Sequence, residues 1–153
     1  MSRRDAITMT EDEVTAFLED QRTIVVASVG PNQRPHLVPL WYVPVGQIIE
    51  TWTYGKSQKV YNLRRDARAT VLVETGDSYD QLRGVSLECD VVIDDTLQEV
   101  TRIGRTMAER YSGGALDEAG VAAIQKQASK RVLLRFVPTA AVSWDHRKLG
   151  GVY

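Results

Sequence analysis

The chain is poor in several things, and each shortage excludes something. It has one cysteine, Cys89, so no internal disulfide can form. Cys89 sits in the strand-like run GVSLECDVVID and reads as a buried small apolar residue rather than a reactive thiol. His36 and His146 are the only histidines, and neither has a cysteine or carboxylate at a spacing that reads as zinc. There is no G-x-S-x-G for a hydrolase elbow and no G-x-G-x-x-G for a dinucleotide loop. No apolar run approaches the roughly 20 residues of a membrane span. The formal net charge is only −1, so no global basic field favours nucleic acid, and any anion site must be local. The opening MSRRDAITMTEDEV turns acidic where a secretory signal would turn apolar, so a cytoplasmic protein is expected.

What is present suits one domain over residues 1–153, with 43% hydrophobic and 25% charged residues. A first helix is expected near Thr10, which can cap it, with Glu11, Asp12 and Glu13 at the positive end of its dipole. TIVVASVG and RPHLVPLWYVP read as a hairpin, and QIIETWTY as a third strand. Pro39 removes a ladder donor, so its strand should lie at an edge or carry a bulge. ARATVLVET, GVSLECDVVID and RVLLRFVPTAAVSW add three strands. Leu97, Val100, Ile103, Met107 and Tyr111 mark a helix by their period, and DEAGVAAIQKQASK marks another. Six strands with flanking helices, mostly joined by short turns, point to a mainly β protein built as a closed or split antiparallel barrel.

The segment YGKSQKVYNLRRD, residues 54 to 66, raises the question of a local anion site. Ser57 is placed to cap a short helix with its side chain. Val60, Leu63 and Ala67 form its core stripe; Lys59 and Asn62 flank that stripe, and Tyr61 and Arg65 turn toward water. Lys56 and Lys59 then stand at the positive end of a helix dipole, which they oppose. Two readings fit. One is a solvated basic helix. The other is an anion site, in which free N–H groups, a hydroxyl and two ammonium groups meet a phosphate.

RPHLVPLWYV, TWTY, GKSQKVYNLRRDARATVLVE, YDQLRGVSLECDVVI and the terminal SWDHRKLGG, taken in this order, resemble the flavin/deazaflavin oxidoreductase superfamily, with the pyridoxamine 5′-phosphate oxidase-like split β-barrel. The likeness is closest to the F420-dependent reductase branch. It implies a six-stranded, FMN-binding-like barrel whose cofactor phosphate meets Lys56, Ser57 and Lys59. Asn62 would fix the helix or reach the cofactor. Pro39, Leu40, Trp41 and Tyr42 would run beside the ring. It also implies a homodimer with the site at the interface, to which the partner brings the Tyr79 to Gly84 loop or Trp144. Trp41 and Trp144 also read as plain core or interface filling. The arginine-rich C-terminal substrate segment of the oxidases that make pyridoxal phosphate has no counterpart in LGGVY, so vitamin B6 synthesis is not expected.

The function expected is an oxidoreductase that transfers a hydride from reduced F420 to an electron-poor acceptor of enone, quinone or tetrapyrrole type. FMN is the alternative cofactor. A binding protein that holds F420, flavin or haem without turnover is the alternative class, because fold does not fix function. His36, Tyr42, Tyr54 and solvent all remain open as the proton source. Arg64, Arg68 and Lys126 are candidates for the anionic tail of F420.

Overall fold

A computed structural model describes residues 2–151. Its frame is one antiparallel sheet of β1 (Thr23–Val29), β2 (Pro35–Trp41), β3 (Val43–Val45), β4 (Ile48–Tyr54), β5 (Arg68–Thr75), β6 (Arg83–Asp94) and β7 (Arg131–Asp145). The spatial order is β2-β1-β5-β6-β7-β4-β3. The helices are α1 (Arg3–Ile7), α2 (Glu11–Asp20), α3 (Gln58–Arg65), α4 (Leu97–Ser112) and α5 (Glu118–Ala128). None of the described helices is long and apolar enough to cross a membrane.

Seven strands form where the pattern predicts six, because RPHLVPLWYVP breaks at Tyr42. Before the break it pairs with β1, and after it Val43 pairs with Glu50 of β4. The two outermost strands of the sheet are therefore consecutive in the chain. The sheet curls until its edges meet at one residue, which makes the split barrel. At that seam the Tyr42 N–H donates to the Tyr111 hydroxyl at 2.9 Å, and the wholly buried Tyr42 phenol donates to the Leu18 carbonyl. Side-chain and loop bonds thus replace the ladder where the strand changes partner. Pro39 lies on β2, an edge strand that pairs only with β1, so its missing N–H breaks no ladder on the open side.

The helix at Thr10 starts as expected, with a capping box between Thr10 and Glu13. The short α1 before it was not anticipated; Ser2 and Asp5 cap it in the same way. Inside the barrel Ile24, Val26, Val71, Val85, Leu87, Leu134 and Phe136 have no measurable exposure, and Phe17 and Leu18 of α2 join this core. Val60 and Leu63 of α3 belong to it too. Each such side chain contributes about 1.5–3 kcal/mol on burial. Cys89 is buried, and burial, followed by the charge of Asp90, pushes its thiol up to about 12, which makes it inert. A second cluster, formed by Val43, Ile103, Met107 and Leu133 with Trp52, fixes α4 against β4 and β7.

The opposite face of the sheet carries a cross-strand row. Pro39 pairs with Val25, Val25 with Leu72, Leu72 with Ser86 and Ser86 with Val142. Leu37 and Val142 on this face are exposed.

Candidate cofactor site

The site is built where β4 runs into α3. The Gly55 N–H donates to the Lys130 carbonyl at 3.1 Å, which ties the start of α3 to the start of β7. Ser57 occupies the N-cap position with extended backbone, and the first intrahelical bond runs from Val60 N–H to the Ser57 carbonyl at 3.0 Å. The expected side-chain cap does not form: Ser57 Oγ is buried without a hydrogen-bond partner. A buried hydroxyl left in this way costs free energy until something meets it.

Two cations stand by. Lys59 is half-buried, and its ammonium is held below the ordinary lysine pKa by burial first and by the charge of Arg131 second. Arg131 lies between two rings, its guanidinium 4.5 Å from the Trp52 centroid and 4.4 Å from that of Tyr54. Its Nε is buried without a partner. Three other partly buried cations are paired with carboxylates. Arg135 reaches Glu50 at 2.8 Å, Arg102 reaches Glu50 at 3.0 Å and Arg83 reaches Asp145 at 3.2 Å. Among the described residues no carboxylate forms a salt bridge with Lys59 or Arg131. Two half-buried like charges with no carboxylate, one of them two residues from an unmet hydroxyl, could hold an anion.

Arg131 also lines a cavity of about 410 Å³ with Pro39, Leu40, Trp41, Trp52 and Met107 among its walls. That volume lies within the usual range for small-molecule sites. Trp41 is 59% exposed and stacks on Tyr111, with ring centroids 4.4 Å apart and 6° between planes. Another cavity of about 410 Å³ lies beside the β1–β2 hairpin, and its walls include Arg68, Glu88 and Asp90. Its arginine is committed to Asp66 at 2.7 Å, and two carboxylates line it, so it does not suit an anion.

The residues singled out from the sequence divide into groups. Pro39, Leu40 and Trp41 share the cavity, while Tyr42 turns its ring into the core. Lys56 is exposed. Asn62 is wholly buried; its Nδ2 donates to Ser28 Oγ at 3.1 Å and its Oδ1 accepts from Gln58 Nε2 at 2.8 Å, so it fixes α3 to β1. Arg65 is exposed but not free: it donates to the Val29 carbonyl at 2.6 Å. Trp144 lies away from the cavity wall, flat over Gly84, where any side chain would clash with the indole. The Tyr79 ring meets His146 edge-on at 4.5 Å. Arg131 was missed. In SKRVLLRFV it reads as a charge flanking a strand, and only the pairing of Tyr54 with Arg131 reveals its place.

Comparison with known proteins concerns the fold and the family. The chain is similar over its whole length to the conserved hypothetical protein Rv2991 of Mycobacterium tuberculosis, at 40% identity, 95% coverage of that chain and a TM-score of 0.91. An F420 reductase shares the fold at 21% identity and a TM-score of 0.66, with 82% of this chain and 93% of that one covered. So does the haem storage protein HutZ of Vibrio cholerae, at 14% identity and a TM-score of 0.67, with 87% and 94% covered. No curated protein sequence matches. The profile of the pyridoxamine 5′-phosphate oxidase family matches residues 10–145, and the chain belongs to that family.

Proposed function

We propose that the protein is an F420-dependent oxidoreductase acting on a small electron-poor acceptor. The observation that carries this reading is Arg131, which lines the aromatic cavity and whose charge acts on Lys59; among the described residues neither cation has a carboxylate partner, and Ser57 Oγ, two residues before Lys59, is buried without a hydrogen bond. A cofactor phosphate supplies the missing anion. The Ser57 hydroxyl donates to it, Lys59 and Arg131 neutralise it, and Lys56 adds charge. Pro39, Leu40 and Trp41 shape the slot for the ring, and Tyr42 contributes main chain only. Asn62 holds the helix that presents the donors. When bound, reduced deazaflavin supplies the hydride, and the protein supplies position and charge.

Of the proton sources left open by the sequence, the Tyr42 hydroxyl is committed to the Leu18 carbonyl. Tyr54 is exposed beside Arg131, and His36 is half-buried with an unpartnered Nδ1. Of the tail candidates, Arg68 is paired with Asp66, whereas Arg64 and Lys126 are exposed.

The protein acts in the cytoplasm as a homodimer. The exposed row on the outer sheet face adjoins Pro39 and Trp41, so a second copy covering that row also walls the ring slot. That copy supplies Trp144 or the loop from Tyr79 to Gly84.

Titration with F420 and with FMN, read by ring fluorescence, tests the cofactor: F420 should bind more tightly. Equal or reversed affinities assign the chain to FMN. Adding menadione or another enone or quinone to the reduced complex tests turnover. Reoxidation no faster than without acceptor would make the protein a cofactor holder.

A further inference from the structure

Tyr111 ends the apolar stripe of α4, where the helical period reads it as one more core contact. It is only half-buried, and it does more than fill space. Its hydroxyl accepts the Tyr42 N–H at 2.9 Å. It donates either to the Arg22 carbonyl at 2.6 Å or to the Tyr42 carbonyl at 3.0 Å, and a single proton serves one of these at a time. Its ring carries the Trp41 indole in near-parallel contact. Arg22 and Arg110 stand over it, 5.7 Å and 5.8 Å from its centroid. One side chain thus holds the main chain of Tyr42 and the plane of Trp41, at the point where the ring strand leaves its partner β1. Thr51 completes the clamp by donating to the Trp41 carbonyl at 2.7 Å.

An edge strand released from one neighbour and not yet joined to the next has little to fix its peptide planes. Here that stretch also walls the cavity. A planar ligand gains from a stacking surface in proportion to how well that surface is already oriented. We propose that Tyr111 is a positioning residue for the cofactor ring: through its hydroxyl it sets the Trp41–Tyr42 main chain, and through its ring it sets the Trp41 indole. The inference rests on the cofactor reading above. It extends that reading by making the α4–α5 hairpin part of the ring site rather than a cover for β4 and β7 alone.

Two variants separate the two contributions. Tyr111→Phe keeps the stack and removes the hydroxyl; Tyr111→Leu removes both. The probes are F420, FMN, riboflavin as a ring without a phosphate, and inorganic phosphate as an anion without a ring. Tyr111→Phe should weaken the ring-bearing probes by on the order of tenfold, the effect of one lost hydrogen bond at a buried donor. Tyr111→Leu should weaken them further and reduce the absorbance shift of the bound ring. Inorganic phosphate should displace bound cofactor at an unchanged inhibition constant in both. A merely structural role would lower the melting temperature and leave ring affinity and absorbance at wild-type values, which would overturn the inference. Equal loss for phosphate and for the ring probes would also overturn it, as general damage. If the wild type binds neither F420 nor FMN, the cofactor reading fails first and this inference falls with it.

Discussion

Lys59 and Arg131 are like-charged neighbours: the guanidinium adds to burial in holding the Lys59 ammonium below its ordinary pKa. Lys59 should therefore report on the presence of Arg131. Replacing Arg131 with Met should raise the Lys59 pKa toward the ordinary lysine value of 10.5 in an NMR titration. It should also weaken cofactor binding by on the order of tenfold, as expected for a lost charge-assisted bond. An unchanged Lys59 titration would mean that the two do not share a site.

The same relation fixes a pH dependence. The folded-state pKa of Lys59 lies below 10.5, so between the two values the unfolded chain binds more protons. The strain from Lys59 is fully present below its folded pKa and is relieved as pH rises toward 10.5. Stability of the empty protein should therefore gain from this group across that window. A bound phosphate favours the charged form, so binding there should take up protons and weaken as pH rises. Calorimetry in buffers of different ionisation enthalpy measures the proton uptake directly.

Tyr42→Phe should separate structure from chemistry. It leaves the Leu18 carbonyl without its donor, at a cost of about 1–3 kcal/mol in denaturant unfolding. The phenol faces the core, so turnover with any accepted substrate should persist. Loss of turnover in a folded variant would return Tyr42 to the list of proton donors.

Charge placed on the outer row should split the proposed dimer. Leu37→Arg and Val142→Arg alter exposed side chains, so the protomer should stay folded. Sedimentation should show the wild type as a dimer and the double variant as a monomer with weakened cofactor binding. A wild-type monomer at micromolar concentration would count against the shared site.

Much of the fold was legible because strand alternation and helical period survive in the sequence. The Thr10 cap, the edge character set by Pro39 and the buried Cys89 all follow from local patterns. The break at Tyr42 did not show, because the run reads as continuous and only its changing partners divide it. In the site, Lys56 and Lys59 stood out by opposing a helix dipole. Ser57 was placed correctly but given the wrong bond, since capping statistics favour a side-chain bond that is not made here. The roles proposed for Arg131 and Tyr111 were invisible, because each rests on a contact distant in sequence.

The most direct measurement compares F420 and FMN titrations of the wild type, Lys59→Ala and Arg65→Ala at low and high salt. Lys59→Ala should bind on the order of tenfold more weakly, or worse, with an empty fold as stable as wild type or slightly more so. Its deficit should shrink at high salt, where screening erodes the wild-type advantage. Arg65→Ala should bind nearly as wild type, its loss falling on the bond from α3 to the Val29 carbonyl. If Lys59→Ala binds like wild type while Arg65→Ala does not, the anion does not sit at the start of the helix, and Lys56 and Lys59 are solvated charges.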